Sequence, residues 1–232
     1  MRIITGSNEA GMEMAKNLLT SLKKVGIPLS EVDLYVFKRC PVNVDYGTNE
    51  FNRLTRQKVE VIIDALKKHK EVCWMDTDII ARSDFREDLR ARGMLDEMSF
   101  QDGLKAGYCS GFIYIPSTPR IIQFLESVIY MMKKNPLVDD ENQLNAVLIP
   151  QGIKAIKLPY YLYPVGVIYF GVKQAQDAFI VHNNYIVGFE NKKKRFEESG
   201  LWSIDDAVLN EVNIIDDWNN EYLPEGVEEK PV

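Results

Sequence analysis

Two aspartates, Asp76 and Asp78, stand one residue apart at the end of the apolar run Val72 to Met75 in "EVCWMDTDIIARSD". In an extended chain residues i and i+2 point the same way, so the two carboxylates converge if strand geometry continues through the turn. Unit charges about 6 Å apart in an effective dielectric near 20 repel by roughly 3 kcal/mol. Solvent, a neighbouring cation such as Arg82, or a divalent metal must offset that repulsion. Mg2+ and Mn2+ take hard oxygen ligands and sit between one or two carboxylates and the phosphates of a substrate. In open α/β sheets such ligands bind at the C-terminal ends of strands. The competing reading is a pair that only caps a turn.

Two further clusters carry chemical side chains. In "VDDENQLNAVL" the acids Asp139, Asp140 and Glu141 open a helix whose Leu144, Val147 and Leu148 face inward. They either complement the helix dipole or face a substrate hydroxyl as hydrogen-bond acceptor or general base. In "VHNNYIVGFENKKKRF", His182 leaves the apolar run "AFIV" at a strand exit, the kind of position the aspartate pair occupies, and Lys192 to Lys194 offer cations to an anion. Neutral imidazole is a common ligand for Mn2+-class cations, so His182 can complete a site with Asp76 and Asp78. A solvated lysine run and a structural histidine are the alternatives. His69, inside "KKHKE", reads as a solvated helix-end residue.

The elements that must position these groups alternate between strand-like and helix-like segments, the pattern of an α/β sheet. "RIIT" and "VDLYVF" read as strands, and Met12, Ala15, Leu18, Leu19 and Leu22 recur at helical spacing behind Ser7 as a candidate N-cap. Thr48 or Asn49 starts a helix with Val59, Ile62, Ile63 and Leu66 inward; Tyr108 to Pro116 reads as a strand, and Thr118 with Pro119 opens a helix running to Lys134. Beyond Pro150 the pattern loosens into short strand candidates, "KAIKLP", "GVIYF" and "AFIVHN", with no long helix between them. The expectation is one domain over residues 1–222, a mostly parallel Rossmann-like sheet flanked by helices with a less regular C-terminal part, then a mobile tail over 223–232.

A length of 232 residues suffices for a sizeable core, and a net charge of -6 argues against a nucleic-acid partner held by a broad basic surface. No secretory signal or membrane-spanning run is evident, which points to a soluble, cytoplasmic chain. Cys40, Cys73 and Cys109 have no CxxC spacing and read as free packing residues.

Taken in order, "VCWMDTDII", "CSGFIYIPSTP", "DDENQLN", "YPVGVIYF" and "VHNNYIVGFENKK" resemble the nucleotide-diphospho-sugar transferases of the GT-A fold, particularly the group related to glycosyltransferase family 77. The resemblance covers Arg2 to about Trp202; Glu141 departs from it, standing where Gln is more usual. It implies a metal-dependent glycosyltransferase that moves a sugar from a nucleotide diphosphate, a UDP-sugar by resemblance, to a hydroxyl of a glycan or glycoprotein acceptor with retention of configuration. By the same resemblance Asp76, Asp78 and His182 would hold Mn2+ or Mg2+, with Asp76 also touching the donor. Lys192 or Lys193 would meet the departing diphosphate, and Thr5, Gly6 and Ser7 would line the nucleotide pocket. Ser110 and Gly111 would lie under the donor sugar, and Asp139 and Asp140 would face the sugar or acceptor. Two rival readings are a haloacid-dehalogenase-like phosphatase, which also uses an apolar strand and DxD, and a non-catalytic nucleotide-sugar-binding module.

Overall fold

A computed structural model describes residues 1–37, 47–92, 97–104, 107–171 and 177–216. Cys40 and the 223–232 tail lie outside the described residues.

The chain opens with strand β1 (Arg2–Ser7), helix α1 (Met12–Lys24), β2 (Val32–Val36), α2 (Asn49–Lys68) and β3 (Glu71–Met75). β1 pairs in parallel with β2 on one side and β3 on the other, the α/β arrangement that the alternating pattern predicts. Next come β4 (Ile79–Ala81), α3 (Arg86–Arg92), β5 (Met98–Asp102), β6 (Tyr108–Pro116), α4 (Pro119–Lys134) and α5 (Asp140–Leu148). The chain closes with β7 (Ala155–Lys157), α6 (Gly166–Gly171), β8 (Ile180–His182), α7 (Phe189–Glu198) and β9 (Asn213–Ile215). The main sheet runs β7-β5-β6-β3-β1-β2-β9, with β6 antiparallel to both neighbours.

Alternation along the central strands feeds two cores. Ile4, Val72, Trp74, Ile113 and Ile115 pack on the face covered by α2, α4 and α5, while Ile3, Cys73, Met75, Phe112 and Tyr114 pack on the face covered by α1. Both faces are dry, so these strands read as unbroken apolar runs. Cys73 and Cys109 are buried free thiols, as packing residues should be. Among the described residues no helix is long and apolar enough to cross a membrane.

Helix starts follow the sequence signals at Thr48 and Thr118, whose hydroxyls accept the N–H groups of Phe51 and Ile121 at 3.2 Å each. Ser7 is not a cap. It still pairs with Val36 as the last residue of β1, and Asn8 instead accepts the Gly11 N–H at 3.0 Å in a short 3-10 turn leading into α1.

Two differences appear in the C-terminal part. "GVIYF", read as a strand, forms α6. The Ile168 and Tyr169 N–H groups both turn back to the Val165 carbonyl, and the Gly166 N–H goes to Asn184 Oδ1 at 2.7 Å. A five-residue apolar run has no period by which to tell strand from helix turn. The lysine run is also helical, lying on the ten-residue α7 that begins after Gly188.

Candidate active site

Asp76 follows β3 directly, and the chain then bends: the Ile79 N–H donates to the Asp76 carbonyl at 3.1 Å. The two carboxylates are therefore brought together by a turn rather than by continued extended geometry. β4 leaves this turn and pairs antiparallel with β8, Ile79 opposite His182, and the Asn183 N–H donates to the Asp78 carbonyl at 2.8 Å. That small ladder closes about a hundred residues of chain and sets His182 Nε2 3.3 Å from Asp78 Oδ1. One ligand atom from each of Asp76, Asp78 and His182 falls within 4.8 Å of the others.

Two lysines offset the carboxylate repulsion. Lys58, buried on α2, places its ammonium 3.2 Å from Asp76 Oδ1 and 2.9 Å from Asp140 Oδ2, and donates to Ser110 Oγ at 3.1 Å. Lys192 on α7 lies 2.7 Å from Asp78 Oδ2. The Trp74 indole N–H adds a hydrogen bond to Asp76 Oδ1 at 2.6 Å. Arg82, the cation suggested by sequence proximity, faces elsewhere: β4 carries it past the turn, where it donates to the Tyr169 hydroxyl at 3.1 Å.

Burial separates the two carboxyls in acidity. At Asp76 desolvation outweighs the pull of Lys58, and Asp78 repels it further, so its pKa lies above the ordinary value. At Asp78 desolvation is overcome by the adjacent Lys192 ammonium, which holds the carboxyl far below the usual carboxylate range. Burial likewise works to lower the two lysine pKa values, but Asp140 and Asp76 at Lys58, and Asp78 at Lys192, raise them instead.

Ser110 and Gly111 come from a bulge. Along β5 the partner of Phe100 is Ile113 but that of Gln101 is Cys109, so Ser110 to Phe112 have no partner on β5. Ser110 and Gly111 of the freed segment meet the site, while Phe112 packs in the core. Gly111 accepts the Asp76 N–H at 2.8 Å, and a Cβ on Gly111 would overlap His182 Cε1 and stand 3.0 Å from Asp76 Oδ2. The Ser110 N–H donates to Glu141 Oε2 at 3.1 Å, and burial raises the pKa of that carboxyl.

The acidic run divides its labour. Asp139 caps α5, accepting the Asn142 N–H at 2.8 Å, while Asp140, 3 % exposed, turns to Lys58. Asp139→Ala is expected to cost about 1 kcal/mol of stability, the usual worth of such a cap, read as a lower thermal unfolding midpoint. An unchanged midpoint would mean the cap contributes nothing.

Some expected residues lie apart from the carboxylates. Lys193 pairs with Glu13 at 3.0 Å and sits 5.4 Å from the Trp202 ring centroid, because neighbours on a helix diverge by about 100°. Thr5 and Ser7 are buried at the end of β1, and the space of a Gly6 Cβ is filled by the Phe37 ring. His69 is half-buried, with Nε2 3.7 Å from Asp33 Oδ2, rather than fully solvated.

Sequence reasoning missed Lys58, Trp74 and Gln101. Lys58 did leave a signal, a lysine on the same stripe of α2 as the buried Ile62 and Ala65, three to four residues apart.

Two carboxylates and an imidazole, on backbone that leaves no room for a Cβ at Gly111, form a donor set that fits a divalent cation of the Mn2+ class. A family profile described as nucleotide-diphospho-sugar transferase matches residues 14–196. The chain belongs to that family. Among curated relatives, this chain is 33% identical over 210 residues to UDP-galactose:fucoside alpha-3-galactosyltransferase of Dictyostelium discoideum, covering 76% of this chain and 31% of the relative. It is 25% identical over 194 residues to UDP-D-xylose:L-fucose alpha-1,3-D-xylosyltransferase 3 of Arabidopsis thaliana, covering 71% of this chain and 51% of the relative. The chain thus spans about a third of the first relative's length and about half of the second's. Its fold is GT-A. It superposes with TM-score 0.63 and 11% identity on a glycosyltransferase involved in glycosylation of the major capsid of PBCV-1, covering 86% of this chain and 98% of that one. The Streptococcus pneumoniae glycosyltransferase GlyE gives TM-score 0.57 at 12% identity, covering 90% and 62%. Membership of this family and fold removes the ground for the phosphatase reading, and the aspartate pair follows the third strand rather than the first.

Proposed function

We propose that the protein is a metal-dependent glycosyltransferase that moves a sugar from a UDP-sugar to an acceptor hydroxyl with retention of configuration. The observation that carries this reading is the gathering of Asp76, Asp78 and His182 behind β3, with Lys192 beside them, in a chain of the nucleotide-diphospho-sugar transferase family. Both relatives named above use a UDP-sugar and a fucose-containing acceptor and are named for alpha products, so a fucose-terminated glycan or glycoprotein is the acceptor class. UDP-galactose and UDP-xylose are the donors to test first. Their sugar is alpha-linked to the diphosphate, so an alpha product means retention.

In this reading Asp76, Asp78 and His182 would hold Mn2+ or Mg2+, which when bound would supply Lewis-acid stabilisation of negative charge on the diphosphate. Lys192 adds a cation to the same leaving group, and Lys193 belongs to its approach. Thr5, Gly6 and Ser7 border the nucleotide, and Ser110 and Gly111 form the floor under the donor sugar. Lys58 bridges Asp76 and Asp140 and holds them aligned, and Asp140, with Asp139 holding the helix start, faces the sugar and acceptor hydroxyl. Groups placed in advance around developing charge stabilise the transition state more than the ground state.

The test is release of UDP from UDP-galactose or UDP-xylose in the presence of a fucoside and Mn2+. Chelation of the metal with EDTA is expected to abolish release, and Mn2+ to restore it. Undiminished turnover in EDTA would remove the metal from the mechanism. UDP binding without any transfer would favour the non-catalytic module instead.

A further inference from the structure

His182 has two ring nitrogens, and only one can serve the Asp76–Asp78 site. Nε2 faces Asp78 Oδ1 at 3.3 Å, while Nδ1 lies 2.7 Å from Gln101 Oε1. Gln101 is fully buried in β5, immediately after the break in the β5–β6 ladder. Its amide has no freedom to flip: Nε2 donates to the Pro164 carbonyl at 2.8 Å, and a carbonyl can only accept. The amide oxygen is therefore turned to His182, and an oxygen there requires a proton on Nδ1. The Cys109 sulfur, 3.9 Å from the same nitrogen, is too distant to compete.

We propose that Gln101 is a positioning residue that fixes His182 as the Nδ1–H tautomer, so that the bare Nε2 lone pair faces the two aspartates as a metal ligand. The Pro164 carbonyl anchors the amide, the amide orients the imidazole, and the imidazole presents a lone pair. Without Gln101, the imidazole would gain more by moving its proton to Nε2 and donating it to Asp78 Oδ1, which blocks the ligand position. The ligand role of His182 rests on the metal reading given above; the tautomer does not.

Two measurements separate these. In metal-free protein at a pH where the imidazole is neutral, 15N-edited NMR of the His182 ring is expected to show Nδ1–H in the wild type. Gln101→Leu is expected to shift the ring to Nε2–H. Gln101→Glu keeps an acceptor facing Nδ1 and is expected to retain the wild-type tautomer. In parallel, Mn2+ binding followed by electron paramagnetic resonance in the presence of UDP is expected to weaken about 10- to 100-fold in Gln101→Leu and to recover in Gln101→Glu. Both variants leave the Pro164 carbonyl without its donor, so thermal unfolding is recorded for each. If Gln101→Leu does not fold, the wild-type tautomer and Gln101→Glu still decide. A wild-type ring carrying its proton on Nε2, or a tautomer and Mn2+ affinity unchanged in Gln101→Leu, overturns the proposal. Expected tautomers with no Mn2+ binding in the wild type would sink the metal reading while supporting the orientation of His182 by Gln101.

Discussion

Lys58→Met is expected to destabilise the protein by about 3 kcal/mol at neutral pH and to remove nearly all transfer activity, because it strips the shared cation from the buried Asp140 and the partly exposed Asp76 carboxylates. Lys58 is 6 % exposed and its ammonium lies within 3.2 Å of both Asp76 and Asp140, so no water can take its place without opening the site. Methionine matches the length of the stem and leaves the packing of α2 intact, which isolates the charge. The loss should also depend on pH. Burial and Asp78 already raise the Asp76 pKa, and Lys58 is the main influence opposing them. With Lys58 gone the folded-state value climbs further above that of an unfolded chain. An acid whose folded pKa is raised is favoured in its protonated form, so the variant is helped at low pH and penalised as pH rises through the raised value. Urea unfolding of the variant should therefore approach wild type near pH 5 and fall furthest behind near pH 8. A deficit that is equal at both values would mean that lost packing, not unpaired charge, accounts for it.

The contrast between Lys58 and the aspartate pair shows what kind of information the sequence carried. Asp76 and Asp78 were legible because two like charges ending an apolar run need an explanation that can be read locally. His182 was legible as a strand exit. Their meeting was anticipated from ligand chemistry and family resemblance, not from pairing, since the β4–β8 ladder that produces it consists of strands of three residues with too few alternations to register as a pattern. Lys58 sits in a helix that was placed well from its cap and stripe, yet a lone lysine among inward positions reads first as a stem lying along the surface. Gln101 was invisible for a different reason. β5 reads "MSFQD", five residues leading into an Asp-Gly turn with nothing to single out Gln101, and the ladder break that lets Ser110 and Gly111 reach the site is a matter of register rather than composition. The parallel α/β framework came from periodicity summed over many residues. The site required single pairings between distant segments.

Gly111→Ala tests the tightest of those pairings. The new methyl group would overlap His182 Cε1 and approach Nε2 to 2.8 Å, so either the ring or the backbone must move. The backbone is held on both sides. The Gly111 carbonyl takes the Asp76 N–H at 2.8 Å, and the preceding Ser110 is fastened by its N–H to Glu141 and by its hydroxyl to Lys58. The ring is held as well, by Gln101 at 2.7 Å and by a surround that leaves His182 2 % exposed. Overpacking of this kind costs about 1–3 kcal/mol, which a folded protein of this size can survive. The expected result is therefore a stable variant whose Mn2+ affinity and rate of UDP release both fall by about 100-fold, since a displaced ligand is lost outright rather than weakened. Gly171→Ala is the matched control, because a Cβ there meets nothing within 4 Å, and it should leave both quantities unchanged. Wild-type Mn2+ affinity in Gly111→Ala would show that His182 is not a ligand, since a side chain forced from its place cannot still coordinate. A fall in UDP release with unchanged metal affinity would instead assign Gly111 to the floor beneath the donor sugar, where a methyl group obstructs the substrate and not the ion.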